Sequence, residues 1–175
     1  MKILVVIDMQ NDFVTGSLAN PEAEKIITPI KERIKAAREN KEMVIFTQDT
    51  HDVDYLETLE GQKLPVEHCI YGTEGWEIVN ELKDEAALCV LKPTFMGFDL
   101  ISRIETVAAA MNEDVEIEIC GTVTSICVIS TALMLRGAFR NSKIVVNSNL
   151  CADITPEGHA AALTVMKNCQ IDVIE

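Results

Sequence analysis

Residues 2–13 read KILVVIDMQNDF, and this stretch indicates the fold class of the chain. Its apolar run meets Asp8 after five residues, which is typical of a short strand buried on both faces of a parallel sheet. A signal peptide needs a longer apolar core and a small-residue cleavage site, so we do not expect one here. The stretch therefore predicts a first strand with a carboxylate at its end.

Similar apolar runs recur along the chain, with helical segments between most of them. The predicted strands are residues 2–8, 43–48, 87–91, 115–120, 143–146 and 171–174. The predicted helices are residues 21–40, 99–111, 125–139 and 156–168. In the first helix, Ile26, Ile27, Ile30 and Ile34 fall on one face. This alternation predicts an α/β fold with a mostly parallel sheet and helices on both faces.

The strand at residues 115–120 is unusual because Glu116 and Glu118 alternate with apolar residues. One exposed face, or a position near the sheet edge, would explain that pattern. The chain contains no linker, repeat or low-complexity tract, so we predict a single domain over residues 1–175.

Charge and composition exclude several classes of protein. The net charge of −13 disfavours binding to nucleic acid or to an anionic membrane, because both need clustered cations. No stretch approaches the roughly 20 apolar residues of a transmembrane helix. The six cysteines form no CxxC pair, so we expect reduced thiols in a soluble, cytoplasmic protein.

Polar residues follow several of the predicted strands directly. They are Asp8, Asp49, Lys92 and the segment after Cys120. Ligands of parallel sheets bind beyond the carboxyl ends of the strands, so we expect these residues to gather at one edge. The long irregular stretch at residues 49–75 is also expected to be functional.

Three of these residues could carry out acid–base or nucleophilic chemistry. Asp8 could accept a proton from a nucleophile, or it could cap a turn. Lys92 is either paired with a carboxylate or thiolate at depth, or a surface side chain that snorkels to water.

Cys127 lies in CGTVTSICV, where a strand leads into a helix with Thr124 or Ser125 as the N-cap. A helix N-terminus lowers the pKa of a thiol there, and its free N–H groups can stabilise an oxyanion. Alternatively, Cys127 is a buried apolar cysteine.

A second group of residues suits a metal ion. Asp49, His51 and His68 offer one carboxylate and two imidazoles, which bind Zn²⁺, Fe²⁺ or Mn²⁺, and we prefer Zn²⁺. A fourth ligand could come from Glu57 or Glu60, of which we prefer Glu60. The alternative is a loop held by hydrogen bonds alone.

Five motifs together resemble those of the isochorismatase-like cysteine hydrolases, and among them the nicotinamidases. They are IDMQNDF, TQDTH, HCIYGTEGWEI, the lysine of VLKPTFMGF, and GTVTSICV. The resemblance covers essentially the whole chain. It implies a three-layer α/β/α sandwich with a mostly parallel six-stranded sheet.

The resemblance also implies roles for particular residues. Asp8, Lys92 and Cys127 would form the catalytic triad, and the Thr122–Val123 bond would be cis. The N–H groups of Val123 and Cys127 would form the oxyanion hole. Asp49, His51 and His68 fall on the family's metal-ligand positions, with Glu60 as the added glutamate.

The implied reaction is metal-assisted hydrolysis of a small amide through a thioester, with nicotinamide as the first candidate and other amides or carbamoyl amides as alternatives. Relatives commonly self-associate, so a homo-oligomer is expected. The chain has Thr50, Leu64 and Pro65 where nicotinamidases often carry aromatic residues. Phe13 and Phe95 remain as ring-stacking partners, and Thr122 is a further candidate for substrate binding.

Four other classes of protein fit the sequence less well. A signalling receiver domain would share the acidic residues and the Lys92-Pro93 pair, but three more predicted strands follow here. A dinucleotide-binding domain needs a glycine-rich turn after the first strand, which is missing. A non-catalytic relative would keep the fold without turnover. Isochorismatases lack the nucleophilic cysteine, so Cys127 disfavours their chemistry.

Overall fold

A computed structural model of the protein describes residues 1–112 and 114–175. Its centre is a sheet of six parallel strands in the order β3-β2-β1-β4-β5-β6. The strands are β1 (Lys2–Ile7), β2 (Met43–Asp49), β3 (Leu88–Lys92), β4 (Glu116–Thr122), β5 (Lys143–Ala152) and β6 (Asp172–Ile174). All six predicted strands are present.

Helices cover both sides of the sheet, which confirms the predicted α/β/α sandwich. The α-helices are α1 (Asn11–Val14), α2 (Pro21–Glu39), α3 (Leu59–Lys63), α4 (Phe98–Met111), α5 (Ile129–Ala138) and α6 (Pro156–Asn168). Single turns of 3-10 helix lie at Tyr55–Glu57 and Asn80–Leu82, and a π-helical turn lies at Thr124–Val128. The two 3-10 turns and α3 lie between β2 and β3, and the predicted loop at residues 49–75 contains the first of them and α3.

The strand order creates a crevice between β1 and β4. The chain builds β2 and β3 outward on one side of β1, and then β4, β5 and β6 on the other. Ligands of such sheets bind where the strand order reverses. At this point Gly121 has φ +120, and a Cβ there would lie 2.2 Å from the carbonyl oxygen of Ile7. Glycine therefore lets the ends of the two strands approach closely.

The prediction that the fourth strand lies near the sheet edge was wrong, and the face that carries its glutamates is only partly exposed, with 35% of the Glu116 side chain accessible. β4 lies between β1 and β5 rather than near an edge. Glu118 is largely covered, because Arg33 of α2 lies over it. The Nη2 atom of Arg33 is 2.8 Å from Oε2 of Glu118. Arg33 also pairs with Glu42. A charge can be half-buried on a central strand when a guanidinium neutralises it.

β5 is longer than predicted, since it continues to Ala152. The sequence does not indicate this extension, because the polar residues Asn147, Ser148 and Asn149 interrupt the apolar run. In the structure the Ser148 hydroxyl donates to the carbonyl of Ile174 in β6. The extension carries the chain to Asp153 at the carboxyl edge of the sheet.

Buried apolar side chains from the strands and from α2, α4, α5 and α6 form one connected core. This core agrees with a single domain, which stays a prediction. Among the described residues, no helix combines the length and apolar character needed to cross a membrane.

Candidate active site

Asp8 follows the last residue of β1 and adopts a left-handed conformation with φ 48. This turn points its carboxylate into the crevice instead of continuing the strand. The hydroxyl of Thr47 on β2 donates to Asp8 Oδ1 at 2.7 Å. Asp8 is fully buried, so its position is set by the protein and not by water.

Lys92 ends β3 and is also fully buried, with 0% of its surface exposed. Its Nζ lies 2.7 Å from Asp8 Oδ2 and 3.0 Å from Asp49 Oδ1. It also donates to the carbonyl of Thr94 at 3.0 Å. The interpretation of Lys92 as a snorkelling surface residue is therefore wrong, since two carboxylates compensate its burial.

Cys127 completes this group from the other side of the crevice. Its Sγ lies 3.6 Å from Lys92 Nζ, which also contacts Asp8 Oδ2 at 2.7 Å. The prediction that the ends of β1, β3 and β4 bring these three residues together is confirmed. The Thr122–Val123 bond before the turn is cis, as the resemblance implies.

The turn that carries Cys127 differs from the predicted one. It is π-helical, its N-cap is Val123, and neither Thr124 nor Ser125 caps it. The Ser125 N–H instead donates to Asp153 Oδ2 at 2.6 Å. The Thr124 hydroxyl lies 2.9 Å from His159 Nδ1. A carboxylate that follows β5 therefore supplies the cap that the sequence assigned to a local side chain.

The predicted lowering of the thiol pKa was also wrong. Burial raises the pKa of Cys127 well above its usual value, the charge of Asp8 raises it further, and Lys92 offsets part of the rise. Burial likewise raises the pKa of Asp8, although Lys92 opposes that effect. Burial alone would lower the pKa of Lys92, but Asp8, Cys127 and Asp49 raise it above its usual value. The resting group is therefore a thiol beside an ammonium ion.

Asp49, His51 and His68 form a second buried cluster next to this group. Their ligand atoms all lie within 4.8 Å of one another. Asp49 Oδ2 is 3.1 Å from His51 Nε2 and 3.5 Å from His68 Nε2. Asp49 therefore joins the two clusters, because its other oxygen contacts Lys92.

The donor set of this cluster suits a divalent cation. His68 Nδ1 lies 2.8 Å from the carbonyl of Val66, which fixes the ring and turns Nε2 toward Asp49. Burial alone would raise the pKa of Asp49, but hydrogen bonds from the two histidines and the charge of Lys92 hold it below its usual value. Two buried carboxylates face one buried ammonium ion, so a cation would balance the remaining negative charge.

The structure distinguishes the two candidate fourth ligands. A carboxylate oxygen of Glu60 lies 4.0 Å from His51 Nε2, and Glu60 lines the same cavity as Asp49 and His68. Glu57 is exposed and does not line that cavity. Glu60 is therefore the nearer candidate.

A cavity of about 540 Å³ opens above both clusters. Cys127 lines it, whereas Asp8 and Lys92 lie behind the thiol. The predicted substrate residues Phe13, Phe95 and Thr122 all line it. The volume falls in the range of sites for small molecules.

Residues 2–175 match the isochorismatase domain family. The chain belongs to the isochorismatase family. The predicted resemblance is thereby confirmed.

Individual members of the isochorismatase family are similar to this chain over different lengths. The pyrazinamidase of Pyrococcus horikoshii, solved in complex with zinc, has a TM-score of 0.86 and 28% identity over 99% of this chain and 98% of its own. The nicotinamidase/pyrazinamidase PncA from Bacillus subtilis has a TM-score of 0.84 and 30% identity, covering 99% of both chains. A nicotinamidase of Saccharomyces cerevisiae is 29% identical over 125 residues. This alignment covers 56% of the present chain and 57% of the yeast protein.

These relatives confirm the predicted class of enzyme. The protein is an isochorismatase-family hydrolase of the nicotinamidase/pyrazinamidase type, acting on an amide C–N bond.

Two residues that support this isochorismatase-family site were not predicted from the sequence. Asp153 caps the turn of Cys127, and Gln10 contacts the main chain of Asp49. Asp153 could not be found from local spacing, because it lies 28 residues beyond Ser125. Gln10 offered one signal, namely a polar residue inside the IDMQNDF motif next to a buried strand.

Proposed function

We propose that this protein hydrolyses nicotinamide to nicotinate and ammonia, through a thioester on Cys127, and so serves NAD salvage in the cytoplasm. The observation that carries the proposal is the convergence of Cys127, Lys92 and Asp8 beside a metal-type cluster, under one cavity. A buried apolar cysteine would need neither an ammonium ion nor a carboxylate at its thiol.

In the proposed mechanism, Cys127 is the nucleophile and Asp8 is the general base. Asp8 accepts the thiol proton as sulfur attacks the amide carbonyl, because Lys92 contacts both groups and holds them close together. A raised pKa suits Asp8 to this task, because it binds the proton better than an ordinary carboxylate does. Lys92 stays protonated and stabilises the negative charge that moves between the two groups.

The second half of the reaction returns the same proton. The C–N bond breaks as Asp8 protonates the departing amine, and ammonia leaves with a thioester on Cys127. Asp8 then accepts a proton from water, whose oxygen attacks the thioester carbonyl. The C–S bond breaks, the carboxylic acid leaves, and Asp8 returns the proton to the sulfur, which restores the Cys127 thiol.

The backbone N–H groups of Val123 and Cys127 are proposed as the oxyanion hole. Val123 and Cys127 both line the cavity at the turn after β4. Preorganised N–H groups at such a turn stabilise the tetrahedral intermediate, because they need no reorientation as charge develops.

Asp49, His51 and His68 would hold a divalent ion, with Glu60 as an additional ligand. We propose Zn²⁺, with Fe²⁺ or Mn²⁺ as alternatives, because the donors are one or two carboxylates and two imidazoles. The bound ion would supply a Lewis-acid contact for the ring nitrogen of the substrate. Phe13, whose ring centroid lies 5.6 Å from that of His68, would pack against the substrate ring, as would Phe95. Thr122 would border the reacting amide.

A homo-oligomer is proposed as the working form. Leu64, Phe95 and Ile154 are apolar residues that remain exposed around the cavity mouth of one chain. Self-association would remove such surface from water. Light scattering on the purified protein tests this proposal.

The experiment for the reaction itself is ammonia release by the zinc-loaded protein. Nicotinamide, pyrazinamide and a carbamoyl amide are compared at equal concentration, each with metal-free protein as the control. We expect nicotinamide to be the best substrate. Release from another amide alone would change the substrate and keep the reaction class.

A further inference from the structure

Gln10 lies in the loop between Asp8 and α1, and the proposed reaction does not use it. Its side chain is fully buried, with 0% of its surface exposed. A buried primary amide needs partners for its two N–H groups and for its oxygen. The hydrogen-bond partners of Gln10 therefore identify the part of the main chain that it holds in place.

The amide of Gln10 binds both main-chain groups of Asp49. Its Nε2 donates to the carbonyl of Asp49 at 2.9 Å, and its Oε1 accepts the N–H of Asp49 at 2.8 Å. Nε2 also donates to the carbonyl of Trp76 at 2.8 Å. The Gln10 amide thus makes three hydrogen bonds, and two of them are to the main chain of Asp49.

Strand geometry explains why Asp49 needs this partner. β1 and β2 pair from Ile3↔Met43 to Ile7↔Thr47, and then β1 leaves the sheet at Asp8. Asp49 is the last residue of β2, two positions beyond the final pair, so its main chain faces the space that β1 has left. Gln10 fills this space with a side-chain amide that replaces the missing strand. The loop that carries Asp8 therefore also fixes the end of β2.

The position of Asp49 matters to both clusters. One carboxylate oxygen contacts Lys92 at 3.0 Å, and the other lies 3.1 Å from His51 and 3.5 Å from His68. A shift of the Asp49 main chain would move both oxygens together. We infer that Gln10 is a positioning residue that holds Asp49 for metal binding and for its contact with Lys92. This inference rests on the metal site of the proposed function.

Gln48 provides a matched control for Gln10. Gln48 is also buried, and its Nε2 donates to the same carbonyl of Trp76 at 3.1 Å. Its Oε1 accepts a hydrogen bond from the thiol of Cys89 at 2.7 Å, and its side chain makes no hydrogen bond to Asp49. Loss of either glutamine removes a buried amide and one bond to Trp76, but only loss of Gln10 releases Asp49.

The test is a zinc titration of metal-free protein against a chromophoric competing chelator. Wild type, Gln10→Met and Gln48→Met are compared, with thermal unfolding of each metal-free protein measured in parallel. We expect Gln10→Met to weaken zinc affinity by about 10- to 100-fold, the usual effect of losing a group that orients a ligand. Gln48→Met should keep the wild-type affinity.

A second variant, Gln10→Glu, keeps the size and shape of the side chain. Its carboxylate would face the carbonyls of Asp49 and Trp76 without a proton to donate, so we expect zinc affinity at least as weak as in Gln10→Met. With zinc at saturating concentration, kcat should still fall in both Gln10 variants, because the contact of Asp49 with Lys92 is also displaced.

Several results would overturn the inference. They are wild-type zinc affinity in Gln10→Met, equal losses in Gln10→Met and Gln48→Met, or no zinc binding by the wild type. Failure of both Gln10 variants to fold while Gln48→Met folds would also overturn it, since Gln10 would then serve folding. Zinc binding that depends on Gln10 without ammonia release from any amide would keep the inference and refute the proposed reaction.

Discussion

The floor and the rim of the cavity are built in different ways. The floor consists of Asp49 and Cys127, with Asp8 and Lys92 directly behind the thiol; Asp8, Lys92 and Asp49 are buried and each has at least two polar partners. On the rim, Leu64, Phe95 and Ile154 are 38%, 46% and 67% exposed and come from three separate loops. The floor is held by the ends of the strands, whereas the rim depends on loops outside the sheet. The reaction class is therefore fixed more firmly than the choice of substrate.

The largest effect is expected from Cys127→Ala. Removal of the nucleophile should lower kcat by at least about 10⁴-fold, because Cys127 is the one thiol among the described residues that line the cavity. Ammonia release measures it. Cys89→Ala is the matched control, since Cys89 lies on β3 outside the cavity and should keep wild-type activity. Equal activity in the two variants would place the nucleophile elsewhere.

Asp8→Asn should come next, with a loss of about 10²- to 10⁴-fold in kcat, the range for a general base. The amide cannot accept the thiol proton, and Lys92 loses one of its two counter-charges. The fold should survive, because the Thr47 hydroxyl can still donate to the amide oxygen. A loss below tenfold would show that another group takes the proton.

His51→Ala tests the second cluster of the floor. We expect bound metal to be lost and kcat/KM to fall by about 10- to 100-fold, the scale of a lost ligand or its support. Metal content by mass spectrometry and turnover are measured on the same sample. His159→Ala is the control, because His159 contacts Thr124 outside the metal cluster. Retention of metal in His51→Ala would mean that the ligand set is wrong.

Acid should inactivate the enzyme above the pH at which ordinary carboxylates titrate. The pKa of Asp8 is raised, so Asp8 gains a proton as pH falls through that raised value and can no longer act as a base. Activity should then fall about tenfold per pH unit. A pH profile of kcat/KM measures it, and an acid limb at or below 3.8, the ordinary pKa of an aspartate carboxyl, would contradict the assignment.

The rim should show the smallest effect. Phe95→Ala is expected to raise KM for nicotinamide by about 2- to 10-fold, the range for one aromatic contact, with little change in kcat. Phe98→Ala is the control, since Phe98 is exposed at the start of α4 and does not line the cavity. A large fall in kcat for Phe95→Ala would show that the rim takes part in the chemistry.

The sequence predicts the floor well because strand ends are readable from it. Buried parallel strands are nearly continuous apolar runs, and the polar residues that end them must meet at one edge of the sheet. Strand ends therefore predict that Asp8, Lys92 and the segment after Cys120 lie together, whereas the roles of Asp8, Lys92 and Cys127 as a triad follow from the family resemblance. Where polar residues continue a strand, as Asn147 and Ser148 do in β5, the same reasoning ends the strand too early.

The sequence-based predictions that were wrong concern contacts and pKa shifts that depend on distant parts of the chain. The cap of the Cys127 turn comes from Asp153, and the partner of Glu118 comes from α2. The pKa of Cys127 was predicted from the start of a helix, which is local, while burial by the rest of the fold decides its direction. The role of Gln10 likewise depends on distant parts of the chain, since it is visible only once β1 and β2 are aligned.

The most direct test of the proposed function is the intact mass of the protein, quenched with acid during turnover of nicotinamide. We predict a mass increase of one nicotinoyl group in the wild type, located on the peptide that contains Cys127. The Cys127→Ala variant should show no such increase and no ammonia. Ammonia release from Cys127→Ala at the wild-type rate would contradict covalent catalysis at this residue.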